Sequence, residues 1–224
     1  TTEIYTLSLH DALPISLQQD HPKWRTMLVS ATLDATPIHQ RYSAMNGRAI
    51  PLITAEGRPH ALTEYEEPEL DPIEAYLKYG TDHERTMIFT AGKAEMRDII
   101  DALRKLDLGN VRIDKLHAKL PYDQIKRATH ARLTEGQRQI IVSTSAGQSG
   151  LTIEGLTLVI SDGTTRRPDL DPNGDPGLFK EPCAQDQLVQ QAGRAGRDVP
   201  GGEFVLTRPL DEAFEFVPKT ARDP

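Results

Sequence analysis

The chain has 224 residues, room for one large domain or one and a half of an α/β type. Its 38% hydrophobic and 26% charged residues suit a soluble globular protein, and with one Trp the core must be mainly aliphatic. A net charge of −7 excludes an indiscriminate basic coat for nucleic acid, although a local groove touching phosphates stays open. No apolar run approaches the roughly 18–20 residues of a membrane span. The one Cys rules out an internal disulfide framework and fits a reducing, cytoplasmic compartment. The seven His are scattered without ligand spacing, so no metal site is expected.

Taken in order, residues 1–16 are expected to be non-native, because Thr6 to Ser16 resembles one reading frame of a sequencing-library adapter. Thr26 to Ser30 reads as a short apolar strand followed at once by Ser30-Ala31-Thr32. Residues 34–45 read as a helix, with Asp34 or Thr36 as N-cap and Pro37 just inside. Ala49 to Thr54 reads as a strand and Leu62 to Glu66 as a polar-alternating edge strand. From Asp71-Pro72 the pattern becomes regular. Helices are expected over 72–79, 93–106 and 122–133, and strands at 86–90, 111–116, 139–143, 156–160 and 202–207. Residues 163–182, rich in Pro, Gly and Asp, read as a loop. Strands alternating with helices predict an α/β fold, a parallel sheet flanked by helices, with ligands held beyond the carboxyl ends of the strands.

Near the C-terminus the run Gln190-Gln191-Ala192-Gly193-Arg194-Ala195-Gly196-Arg197 sets two arginines three residues apart, each after a glycine. On a helical turn that spacing places Arg194 and Arg197 on one side. An Arg-x-x-Arg alone is ordinarily a solvated surface pair. Two fixed guanidinium forks also suit a phosphate chain or a transferring phosphoryl group.

Four stretches in fixed order sharpen that choice: Ser30-Ala31-Thr32, Ile88-Phe89-Thr90-Ala91-Gly92, Ser143 through Ile153, and Gln190 through Arg197. Together they resemble motifs III, IV, V and VI of superfamily-two helicases, and Leu151-Thr152-Ile153-Glu154-Gly155 is closest to the DEAH/RHA branch. Leu116-His117-Ala118-Lys119-Leu120-Pro121 resembles the family's stretch ahead of a helix with nucleic-acid contacts. The resemblance implies a RecA-like fold. It divides the chain into a remnant of the first RecA-like domain (17–48), a C-terminal RecA-like domain (49–209) and the start of a truncated extension (210–224). It implies that Arg194 and Arg197 are arginine fingers, with Gln190 near the γ-phosphate and attacking water. Gly150, Glu154 and Gly193 would lie towards the nucleotide, and Thr90, Gly92 and Thr144 against the nucleic-acid backbone. Ser30 and Thr32 would serve interdomain coupling. Hydroxyls and N–H groups of the Thr144–Thr152 stretch suit phosphate oxygens of either nucleotide or RNA.

The implied cofactor is ATP or another NTP with Mg²⁺, held mainly by a first domain that this sequence lacks. No Gly-x-x-x-x-Gly-Lys-[Ser/Thr] occurs in it, and no Asp-Glu-x-His precedes Ser30. The implied partners are single-stranded RNA or DNA and that missing domain, with no membrane. The fragment alone is expected to be inactive. Gln191 stands where the family usually has Arg, and Ser161-Asp162 where Asp-Ser is usual. Two other readings remain: a stand-alone nucleic-acid-binding or regulatory module, and a remodelling or translocating ATPase domain.

Overall fold

The structure, a computed structural model, describes residues 35–47, 49–54, 58–148 and 151–208. The expected strand at 26–30, the segment 1–16 and the extension 210–224 lie outside them. The helix expected over 34–45 is α1, Ala35–Asn46, and it belongs to one compact unit. There the Ile50 N–H donates to Ser43 Oγ at 3.2 Å, and the Ile50 carbonyl lies 2.7 Å from His39 Nε2. The strand expected at Ala49–Thr54 does not form. Both backbone groups of Ile50 are used locally, and Pro51 has no N–H for a ladder.

The second unit, from Ile53 onward, is built on a six-stranded sheet. Its strands are β1 (Leu62–Glu66), β2 (Arg85–Phe89), β3 (Val111–Leu116), β4 (Arg138–Ser143), β5 (Leu158–Ser161) and β8 (Gly202–Leu206). They lie in the order β1-β8-β5-β2-β4-β3, every neighbour parallel. Side chains alternate across a strand, so each apolar run feeds two cores. On one face Met87, Phe89, Ile141, Val159 and Phe204 pack with Leu188 and Ala192 of α5 (Gln185–Ala192). On the other, Ile88, Ile140, Val142, Ile160 and Val205 meet α2 (Pro72–Tyr79) and α3 (Lys93–Lys105) through Tyr76, Met96, Ile100 and Leu103. The expected layered α/β architecture is what these residues make.

Local chemistry sets the helix ends. Asp71 Oδ1 accepts the N–H groups of Ile73 and Glu74 at 2.7 and 2.8 Å, while Glu74 Oε2 accepts that of Asp71 at 2.9 Å. This reciprocal box, with Pro72 in the first turn, fixes the start of α2. The helix expected to reach Leu133 is α4, Tyr122–Thr129, and stops four residues early. The Thr129 hydroxyl turns back onto the Ile125 carbonyl at 3.0 Å, and buried Arg85 takes the Ala131 carbonyl at 2.7 Å, drawing the chain off the helix axis.

Residues 163–182 are not a loop. They form an antiparallel hairpin, β6 (Thr164–Leu170) with β7 (Pro176–Pro182). At its tip Asp171 Oδ1 accepts the N–H groups of Asn173 and Asp175 at 2.8 and 2.9 Å. The prolines that argued against strands are tolerated because each strand of a two-stranded ribbon has one side without a partner.

Candidate nucleotide and nucleic-acid interface

Thr90 and Gly92 follow the carboxyl end of β2, and Thr144 follows that of β4. Strands β2 and β4 are adjacent, and the Thr90 N–H bonds to the Ser143 carbonyl at 2.8 Å, so these residues share one sheet edge. Thr90 is only 2% exposed, and its hydroxyl points at the carbonyls of Gly92 (3.2 Å) and Ser143 (3.4 Å). Gly92 caps α3 at its N-terminus, without a side-chain cap. A Cβ there would lie 2.8 Å from Arg166 Cδ and Nε, so a larger residue would push the Arg166 side chain aside. Thr144 is half-buried. Its N–H bonds to the Leu116 carbonyl at 3.1 Å, and its own carbonyl receives the Ser143 hydroxyl at 2.7 Å. His117, next along from Leu116, keeps a buried Nδ1 without a partner. Burial, then the charges of Lys93 and Lys115, hold its imidazole below the usual pKa.

The arginine run departs from the helical expectation. Helix α5 ends at Ala192, Gly193 is its half-buried C-cap, and Arg194 through Arg197 form a turn in which Gly196 has φ +60°. Nor do the arginines follow the carboxyl end of a strand. A crossover helix runs opposite to the parallel strands it joins, so its C-terminus returns to the start of the next strand. Accordingly the Gly196 N–H bonds to the carbonyl of Leu156, two residues before β5, at 2.8 Å, and a Cβ on Gly196 would lie 2.7 Å from Gly202 Cα.

From that turn the Arg194 side chain reaches back to the stretch after β4. Its Nε donates to the Gln148 carbonyl at 2.9 Å, and its Nη groups donate to Gln148 and Leu151. Burial, then the charge of Arg197, lowers the pKa of Arg194 from its ordinary value. Arg197 is exposed and has no hydrogen bond or ion pair among the described residues. Gln190 is half-buried, and Glu154 is exposed beside Gly155, whose N–H bonds to Asp198 Oδ2 at 2.9 Å. The two arginine-linked stretches are thus joined. Gly150, Ser30 and Thr32 lie outside the described residues.

Gln191, the departure from the family pattern, is 1% exposed and turned inward, its amide 3.7 Å from Cys183 Sγ. It therefore faces the core rather than the arginines. Burial, then Asp162 nearby, pushes the Cys183 thiol up to about 12, so it is un-ionised at neutral pH. Among the described residues no group of three or more His, Cys, Asp or Glu could hold a metal ion. The guanidinium and N–H donors of this stretch suit phosphate oxygens. No helix among them is long and apolar enough to cross a membrane.

One contact escaped the sequence. Arg166 of β6 lies against Gly92 and is ion-paired with Glu95 of α3 at 2.6 Å. The missed signal was the turn Asp171-Pro172-Asn173-Gly174, in which the Gly174 N–H bonds to the Asp171 carbonyl at 2.9 Å.

A six-stranded parallel sheet covered on both faces, with the stretches at 88–92, 143–153 and 190–197 in its connections, has the architecture expected of a helicase C-terminal domain. Residues 70–199 match the helicase conserved C-terminal domain, and the chain belongs to that family, in its DEAH/RHA-type superfamily-two branch. It is 28% identical over 190 residues to the ATP-dependent RNA helicase HrpA of Escherichia coli, covering 79% of this chain and 14% of HrpA. It is also 28% identical over 197 residues to the pre-mRNA-splicing factor ATP-dependent RNA helicase prp22 of Schizosaccharomyces pombe, covering 80% of this chain and 16% of prp22. The chain therefore spans about a sixth or less of these relatives. Among solved structures, the Escherichia coli DExH-box NTPase HrpB superposes with a TM-score of 0.70 at 23% identity, over 90% of this chain and 25% of that one. That likeness shows the fold to be RecA-like.

Proposed function

We propose that this chain is the second motor domain of an NTP-dependent RNA helicase, completed by a first RecA-like domain with the nucleotide-binding loop. Bound between the two domains, ATP would draw them closed, and its phosphoanhydride would be hydrolysed in the closed state. Arg197, exposed and uncommitted among the described residues, is the first finger onto its phosphates. Arg194 is the second. It has to give up the carbonyls of Gln148 and Leu151 before its charge can reach a phosphate, so its engagement is conditional on closure. An arginine finger is worth roughly 10³–10⁵ in rate where it has been dissected. Gln190 is assigned to the attacking water, and Gly150, Glu154 and Gly193 to the nucleotide side. Ser30 and Thr32 would relay closure. Thr90, Gly92 and Thr144 form the nucleic-acid edge, with the half-buried Thr144 as its most accessible side chain.

The observation that carries the reading is the Arg194 side chain. It bridges the turn after α5 to the stretch after β4, physically joining the proposed nucleotide residues to the segment that leads from Thr144. The same observation supports a second reading, a stand-alone nucleic-acid-binding module, since Arg194 is satisfied internally. The test is hydrolysis. Mixed with ATP, Mg²⁺ and single-stranded RNA, this chain should show no turnover above background. Joined to a DEAH/RHA first domain it should turn over, and Arg197→Ala should then abolish turnover while nucleotide still binds. Enzyme-like hydrolysis by the chain alone would sink the two-domain reading. Full turnover by the joined Arg197→Ala protein would sink the finger.

A further inference from the structure

The peptide unit between Ala195 and Gly196 stands midway between the two arginines of the turn, and both of its polar groups bond outside that turn. Its N–H donates to the Leu156 carbonyl at 2.8 Å. Its carbonyl, that of Ala195, accepts a hydrogen bond from Nη2 of Arg58. Ala195 is fully buried, and its carbonyl lies against the Gly202 backbone, where a Cβ would meet both the carbon and the oxygen at 3.0 Å. A buried carbonyl without a donor is costly, and Arg58 is the donor that satisfies this one. The donor comes from far away in the chain. Arg58 lies six residues past Leu52, where the first compact unit ends, and four before β1 begins at Leu62. The connection between the units therefore holds one side of the arginine turn.

What that side controls follows from the glycine. Gly196 has φ +60°, and glycine adopts φ of either sign at little cost, so it is the soft joint between Arg194 and Arg197. Any net change of ψ at Ala195 or φ at Gly196 redirects Arg197. Arg194 is anchored separately, on the carbonyls of Gln148 and Leu151. The Arg197 side chain has no such bond among the described residues, so its backbone alone sets its direction. Two bonds hold the plane of the joint, and the one from Arg58 is charge-assisted. We propose that Arg58 is a positioning residue for hydrolysis: by holding the Ala195–Gly196 peptide it aims the Arg197 guanidinium, and it ties the finger to the chain that joins the two units. This rests on the reading of Arg197 as a finger. A catalytic group displaced by about 1 Å can lose on the order of 10²-fold in rate, so a single bond at this joint has leverage.

Two measurements test the assignment. In the 224-residue chain, Arg58→Ala should speed amide hydrogen exchange at Gly196 several-fold while the β2 and β4 amides keep their rates. In the protein joined to a DEAH/RHA first domain, the same variant should lower kcat for ATP by about 10–100-fold, with KM for ATP within about twofold of wild type. Arg58→Lys keeps a donor on a long side chain and should recover most of that loss. A KM that rises in step with the fall in kcat would make Arg58 a phosphate ligand and overturn the positioning role. Unchanged kcat beside an inactive Arg197→Ala would make the bond a strut of the fold, and the inference would fail alone. Full turnover by Arg197→Ala would remove the finger reading and this inference with it. Should Arg58→Ala fail to fold, Arg58→Gln, whose shorter side chain draws the donor back, decides by the same two readouts, and movement in neither overturns the proposal.

Discussion

Arg194 and Arg197 stand three residues apart in the sequence, and their surroundings could hardly differ more. Arg194 gives its donors to two carbonyls, whereas Arg197 lies in solvent. Truncating the first strands those carbonyls and loses charge-assisted bonds, each worth about 1.5–3 kcal/mol, so Arg194→Ala should lower stability in urea by about 2 kcal/mol. Arg197→Ala should stay within about 0.5 kcal/mol of wild type. Equal losses would mean that Arg194 is not held as described. His117 makes a second prediction at this scale. Its pKa is depressed in the folded state, so the unfolded chain binds the extra proton first as pH falls through the ordinary histidine value of 6.5. The contribution of His117 to stability therefore declines from about pH 7.5 to pH 5.5, contrary to that of a histidine paired with an acid. His117→Gln should flatten the difference between melting temperatures at those two pH values, and an unchanged difference would rule His117 out as its source.

At the level of elements, the tight approach of Gly196 to Gly202 ties the arginine turn to the start of β8. Gly196→Ala adds a Cβ against backbone in a left-handed conformation, and should cost about 2–3 kcal/mol by chemical denaturation. A cost under about 0.5 kcal/mol would mean the turn can move aside. What the sequence disclosed at this scale followed local chemistry. The start of α2 was legible because Asp71, Pro72 and Glu74 hold every part of its capping box, and β4 because Ile140, Ile141 and Val142 form an unbroken apolar run. The end of α4 was not legible, since its cause is Arg85, far away in the chain and taking the Ala131 carbonyl. The arginine turn was misread as helix because nothing local to Gly193 announces the neighbour that Gly196 must approach. The Arg166–Glu95 pair joins residues 71 apart, a distance that no periodicity reports.

For the molecule as a whole, the parallel sheet is stabilised by its ladders and by two apolar faces, while the arginine turn and the stretch it bonds to lie outside every strand. The turn after α5 and the stretch before β5 are an instance. Arg194 bonds to Gln148 and Leu151, the Gly196 N–H to the Leu156 carbonyl, and the Gly155 N–H to Asp198. Each segment gives the other part of its shape, so neither should open alone. In kinetic terms they form one cooperative unit of local unfolding. Under conditions where closing outpaces chemical exchange, the amide protons of Gly155 and Gly196 should exchange with hydrogen isotope at one shared opening free energy, below that of the β2 and β4 amides. Arg194→Ala should speed both together, and acceleration at only one of the two would show that the segments open separately. A domain so built can yield at its two proposed contact stretches in a single step while its sheet stays closed.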